Sequence, residues 1–120
     1  MRALLSVYNK EGLLELAEFF KSENIEMIST GGTYKFLVEK GFNPLQVEEV
    51  TSSKEILDGR VKTLHPTIHG GILYRRDMAE DRKTVEELGI EGIDIVCVNL
   101  YPFFEKLKEN LSEAEQVEFI

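Results

Sequence analysis

One cysteine stands in 120 residues, so Cys97 can form neither an internal disulfide nor, by itself, a zinc site. It lies inside an apolar run, which predicts an inert thiol rather than a nucleophile. No apolar run approaches the roughly 20 residues that a membrane-spanning helix requires. The first seven residues offer too short an apolar stretch for a secretory signal, and acids follow soon after. A cytoplasmic protein is therefore expected. Positive charge is scarce too: 14 Lys and Arg against 22 Asp and Glu give a net charge of −8 and a pI near 4.8. That balance excludes a broadly basic face for nucleic acid or anionic lipid. There is no internal repeat, linker or low-complexity segment. Walker, G-x-G-x-x-G, Gly-x-Ser-x-Gly and kinase signatures are all missing, as are paired catalytic carboxylates.

What remains is a chain with 42% hydrophobic and 30% charged residues, the balance of a soluble globular domain. Residues 2–8 read as a buried strand. Leu13, Leu14, Leu16, Ala17 and Phe20 then fall on one side of a helix over 11–22. A second strand is expected over 25–29, a tight turn at Thr30-Gly31-Gly32-Thr33, and a helix from Tyr34 to Lys40. A short third strand follows over 44–47. A turn of helix over 51–57 would be capped by Thr51 or Ser52. Residues 79–88 form a helix ended by Gly89, and 93–98 form the strongest strand. Two further helices are expected over 103–109 and 112–118. Alternating strands and helices with near-continuous apolar strands predict an α/β fold, a three-layer αβα stack around a mainly parallel sheet. Ligands on such sheets bind beyond the carboxyl ends of the strands. Three segments collect there: residues 6–10, 29–33 and 99–102.

Each has a structural and a chemical reading. Ser29-Thr30-Gly31-Gly32-Thr33 is either a plain helix-capping turn or a cradle whose amides and hydroxyls hold a phosphate. Lys10 is either a surface lysine or a phosphate contact. Asn99 either ends a strand or reads a base or ribose, and Tyr101 could hydrogen-bond or stack. Charge is uneven as well. Lys54, Arg60, Lys62, Arg75 and Arg76 lie within residues 54–76, with only Glu55 and Asp58 against them. If extended, Gly59-Arg60-Val61-Lys62 would aim Arg60 and Lys62 the same way, a pair suited to a phosphate or a developing oxyanion. His65 and His69 are spaced i, i+4, but no further ligands accompany them, and no metal site is expected.

Four blocks, in this order and spacing, carry a resemblance. They are Leu5-Ser6-Val7-Tyr8-Asn9-Lys10; Ser29-Thr30-Gly31-Gly32-Thr33; Gly59-Arg60-Val61-Lys62-Thr63-Leu64-His65-Pro66 with Ile68-His69-Gly70-Gly71-Ile72-Leu73; and Asn99-Leu100-Tyr101-Pro102-Phe103. The chain resembles the N-terminal IMP cyclohydrolase domain of bifunctional purine biosynthesis proteins, over essentially all its residues. The resemblance implies a methylglyoxal synthase-like fold and closure of formyl-AICAR to IMP without metal or organic cofactor. It also implies a homodimer, and a parent protein whose other domain is an AICAR formyltransferase. Carried over by position, Lys62 and Tyr101 are the catalytic candidates. Ser6, Lys10, Ser29, Gly31, Gly32, Thr33, Arg60 and Thr63 would hold the nucleotide, and Asn99 would contact its base.

The sequence departs from the family at Tyr8, where a small hydroxyl residue is common. It also stops where the family continues into Asp-Ile-Gly-Gly and Ala-Ala-Ala-Lys-Asn segments counted in the active site. The expectation is a single domain over 1–120, truncated at its C-terminal end. A regulatory module of the same fold that senses a phosphorylated ligand is the competing expectation. Methylglyoxal synthase itself is a weaker one, since no matching Gly-Gly-Asp segment is found. Turnover of formyl-AICAR by the isolated 120-residue chain should accordingly be small or nil beside that of the full-length protein. Equal rates in a parallel assay would refute the truncated-site expectation.

Overall fold

The computed structural model describes residues 1–100 and 112. Strand β1 (Arg2–Ser6) leads into helix α1 (Leu13–Ser22), strand β2 (Glu26–Ser29) and helix α2 (Gly31–Glu39). Strand β3 (Leu45–Gln46) and helices α3 (Val47–Thr51), α4 (Pro66–Leu73) and α5 (Ala79–Glu87) follow, and strand β4 (Ile95–Val98) closes the series. The four strands form one sheet in the order β3-β2-β1-β4. Every pairing is parallel, with Leu5 opposite Ser29 and Cys97, and Ser29 opposite Gln46.

Alternation along β1 divides the core between the two faces of the sheet. Ala3, Leu5 and Val7 pack with Leu13, Ala17 and Phe20 of α1, Met27 of β2 and Leu37 of α2. Leu4 and Ile28 pack on the other face with Val47 of α3, Ile68 of α4 and Ile93. Helices thus cover both faces, and the expected three-layer parallel α/β architecture is the one observed. Cys97 is half-buried against the first cluster.

Several elements differ from expectation. The helix expected over 51–57 lies earlier: α3 begins directly after β3 and ends at Thr51. Thr51 does not cap a helix start; its hydroxyl accepts from Ser53 N–H at 3.1 Å in the turn that leaves α3. The glycines of the expected turn at 30–33 form the first turn of α2 instead. The stretch after His65, for which no helix was expected, is helix α4. His65 caps it by accepting from Thr67 N–H through Nδ1, and Pro66 occupies the first turn, where its missing N–H costs nothing. Its two glycines have a packing reason. A Cβ on Gly71 would sit 2.6 Å from the Glu91 carbonyl oxygen, and one on Gly70 would sit 3.1 Å from Ile90 Cδ1. Helix α4 therefore approaches the chain before β4 more closely than a side chain would permit. The helices expected over 103–109 and 112–118 lie outside the described residues, save Ser112 itself.

Two predictions follow from this packing. Gly71→Ala should destabilise the chain by about 1–3 kcal/mol, the usual cost of overpacking, as read from urea unfolding. The second concerns Asp81 in the first turn of α5. Arg75 donates to it through its backbone N–H at 2.8 Å and its guanidinium at 2.9 Å. These bonds hold the Asp81 carboxyl at about 2, below its ordinary 3.8. A depressed carboxyl stabilises above the unfolded value and loses that contribution as pH falls through the folded one. The stability gap between the parent and Asp81→Asn should therefore shrink as pH drops from about 4 to about 2. A gap constant across that range in thermal melts would contradict the assignment.

Candidate functional site

The site grows from the parallel register of β1 and β2, which ends the two strands side by side. Ser6 Oγ and Thr30 Oγ1 share a hydrogen bond of 2.8 Å there. One turn into α2, the Thr33 hydroxyl accepts from Val7 N–H at 3.0 Å and donates to Val7 C=O at 3.1 Å. The next residues of the chain are held from the far side. Tyr8 N–H donates to Asn99 Oδ1 at 2.6 Å, and Asn99 Nδ2 donates to Asn9 C=O at 2.9 Å. Lys10 Nζ folds back onto the carbonyls of Val7 and Tyr8. These contacts frame a cleft of about 290 Å³, lined by Ser6, Tyr8, Lys10, Thr30, Gly32, Thr33, Lys62 and Asn99 with Val7.

The cleft opens on the N-terminus of α2. Thr30 is the capping residue, but its side chain makes no capping bond; its hydroxyl goes to Ser6 instead. The first turn of α2 carries no acidic residue. Its leading N–H groups and the positive end of the helix dipole thus meet no side-chain acceptor from the cap, an arrangement suited to an anion.

Lys62 joins this cleft to a second one of about 170 Å³, lined by Ser29, Thr30, Gly31, Gln46, Val47, Glu48, Glu55 and Lys62. The side chain reaches there across two glycines. A Cβ on Gly59 would lie 2.6 Å from Lys62 Cε, and one on Gly31 would lie 3.4 Å from Lys62 Nζ. Burial, and then the positive charge of Lys62, push the Lys10 ammonium below its ordinary 10.5. Ser29 is fully buried, and its hydroxyl has no hydrogen-bond partner among the described residues. An orphaned buried hydroxyl is uncommon in folded proteins, and this one lines the second cleft.

The structure brings most of the sequence-derived candidates together. Ser6, Lys10, Gly32, Thr33, Lys62 and Asn99 line the first cleft; Ser29, Gly31 and Lys62 line the second. Thr33 and Asn99 are already engaged with backbone, so the Thr33 hydroxyl has no proton left to donate. Arg60 and Thr63 line neither cleft. The extended run expected to align Arg60 with Lys62 is broken, because residues 56–61 form a tight hairpin closed by the Ile56–Val61 bridge. Asp58 and Gly59 both take positive φ, as the type I′ turn favoured by Asp-Gly requires. Tyr101 lies outside the described residues. Thr30, Gln46, Glu48 and Glu55 are site residues that the sequence reading did not select. Thr30 was discoverable, since it directly precedes the glycine pair. The others depend on how the hairpin and α3 fold over the sheet edge. Among the described residues, no group of three or more His, Cys, Asp or Glu side chains could hold a metal ion. No helix there is long and apolar enough to cross a membrane.

Comparison with known proteins agrees with this geometry. A sequence model described as the MGS-like domain matches residues 12–120. The chain is 60% identical over 119 residues to the bifunctional purine biosynthesis protein PurH of Clostridium botulinum strain Hall, covering 99% of this chain and 24% of that protein. The PurH of Clostridium acetobutylicum matches with the same identity and coverage. The chain thus spans about a quarter of the length of these curated relatives. Among solved structures, one described as ForH superposes with a TM-score of 0.78 at 35% identity, over 84% of this chain and 51% of that one. The family match covers nearly the whole chain, and the parallel sheet with helices on both faces accords with it: the chain belongs to the MGS-like domain family.

Proposed function

We propose that this chain is the IMP cyclohydrolase part of a bifunctional purine biosynthesis protein, closing formyl-AICAR to IMP. One observation carries the reading. Lys10 and Lys62 converge with the uncapped N-terminus of α2 in a single cleft, in a chain 60% identical to PurH. On this reading the parent protein also carries AICAR formyltransferase activity, works as a homodimer in the cytoplasm, and needs no cofactor for the cyclisation.

The α2 amides of Gly31, Gly32 and Thr33 receive the 5′-phosphate, with Lys10 and the Ser6–Thr30 hydroxyl pair beside them. The Ser29 hydroxyl, fully buried beside the second cleft, stands apart from that anion position. In the ring closure, the carboxamide nitrogen attacks the formyl carbon. A C–N bond forms, and the formyl oxygen departs as water. Both partners belong to one molecule, so holding them in near-attack geometry supplies much of the acceleration. Lys62 stabilises negative charge on oxygen and assists the proton movement, and Tyr101 is its second group. A fixed cation aimed at a developing oxyanion is commonly worth a factor of about 10²–10³ in rate. Arg60 and Thr63 stand outside the clefts and carry a lesser share in this reading.

The test uses the full-length protein. Lys62→Ala should lower kcat about 100-fold, followed by the absorbance change on ring closure, while IMP affinity measured by calorimetry changes far less. Lys10→Ala should do the reverse, weakening IMP more than it slows turnover. The Lys10 ammonium loses its charge at a lower pH than an ordinary lysine, so IMP affinity should begin to fall correspondingly early as pH rises. Unchanged turnover in Lys62→Ala would remove that residue from its role. Ligand binding without any turnover by the full-length protein would favour the regulatory reading.

A further inference from the structure

Lys62 owes its position to a hairpin that also carries a carboxylate. The bridge between Ile56 and Val61 is antiparallel, with Ile56 N–H donating to Val61 C=O at 3.1 Å and Val61 N–H to Ile56 C=O at 3.3 Å. That register sets Glu55 directly opposite Lys62, one step beyond the bonded pair. Residues so placed bring their Cβ atoms within about 5 Å, and opposite charges there attract. Both side chains approach the same two glycines, although no direct ion pair joins them among the described residues. From the position a Cβ would take on Gly59, Lys62 Nζ lies 3.2 Å away and Glu55 Oε2 3.6 Å away. From the corresponding point on Gly31 the two distances are 3.4 and 4.0 Å. Both residues line the 170 Å³ cleft beside α2.

We propose that Glu55 is a positioning residue for Lys62, holding its ammonium between Gly31 and Gly59 at the junction of the two clefts. The inference rests on the role given to Lys62 in the proposed function. The charges around Lys62 show why it needs a partner. Lys10, from the segment after β1, repels it. The first turn of α2 supplies no carboxylate. Glu48 of α3 lines the same small cleft, but only Glu55 shares the hairpin with Lys62 and lies beside it at both glycines. Glu55 is itself exposed, so its effect on Lys62 comes without a buried-charge penalty on folding.

The role separates from a structural one by its split between kcat and KM and by rescue with the shorter carboxylate. In the full-length protein, Glu55→Gln keeps the shape and removes the charge. Without the carboxylate the Lys62 ammonium is no longer drawn to its place beside Gly31 and Gly59. At neutral pH kcat should fall about tenfold, while KM changes less. IMP affinity should hold or tighten, since a negative charge beside the anion site is gone. Glu55→Asp should restore most of kcat. Lys62→Ala serves as the reference. If Lys62→Ala abolishes turnover and Glu55→Gln leaves kcat unchanged, the Glu55 role is overturned and the function proposal stands. If Lys62→Ala turns over normally, both fall together.

Discussion

The junction between β1 and α2 governs the rest of this molecule. Thr33 sits on the first turn of a helix, yet its hydroxyl both accepts from and donates to the backbone of Val7. It supplies the backbone partners that a parallel neighbour would otherwise have provided, just past the point where β2 ends at Ser29. An N–H and a C=O buried at a strand end without partners would each cost about 1–3 kcal/mol. The same residue fixes where α2 begins relative to the sheet. That fixes the Ser6–Thr30 hydroxyl pair, and it turns the amides of Gly31 and Gly32 toward the space beyond the strand ends. Asn99 performs the matching task on the other side, spanning from the end of β4 to both Tyr8 and Asn9. The cleft is thus walled by groups whose own hydrogen bonds are largely satisfied, and its free donors belong to the helix terminus and the lysines.

Glycine at three places allows cations to enter this frame. Gly59 takes φ +80, and a side chain there would collide with Lys62 Cε. Gly31 takes φ +30 and leaves room for the Lys62 ammonium. Gly32 lines the cleft itself. The hairpin over 56–61 brings Lys62 back over its own turn and then to α2, a path that a Cβ on Gly59 would block. Backbone freedom and electrostatics are therefore linked. The positive φ values of the turn put a charged side chain where an extended segment would have left it at the sheet margin.

This also explains which features were legible in the sequence. The parallel α/β fold followed from alternation of apolar strands with amphipathic helices, and the candidate clefts followed from where such sheets bind ligands. Residues adjacent to strand ends were found because strand ends are local signals. Ser6, Lys10, Ser29 and Asn99 belong to that group. Helix α4 was hidden because its two glycines argue against a helix in isolation. Their value lies in contact with Glu91 and Ile90, about 20 residues away in the chain. The extended run that would have aligned Arg60 with Lys62 is absent for a similar reason. Alternating charged and apolar residues suggested an extended run, but Asp58-Gly59 just before it folds the chain back. The partnership of Glu55 with Lys62 was invisible without that hairpin, since their spacing of seven has no meaning in a strand and a different one in a helix.

On the proposed function, a chain of net charge −8 holds an anion because charge acts locally at physiological salt. The Debye length is then about 8 Å, so carboxylates spread over α1, α5 and the far surface contribute little inside the cleft. Among the described residues, the charged groups that line the two clefts are Lys10 and Lys62, beside the α2 terminus, and Glu48 and Glu55 across the smaller cleft. The cations dominate on the side lined by Ser6, Gly32 and Thr33, and the carboxylates lie toward α3. An anion is therefore favoured at one end of the paired clefts and disfavoured at the other. The surrounding negative surface adds a further constraint. It would oppose a polyanion, whose charge extends well beyond the Debye length, more than a small phosphorylated ligand. On the proposed function, the distribution that makes the overall charge look unpromising would set a single compact anion apart from a polyanion.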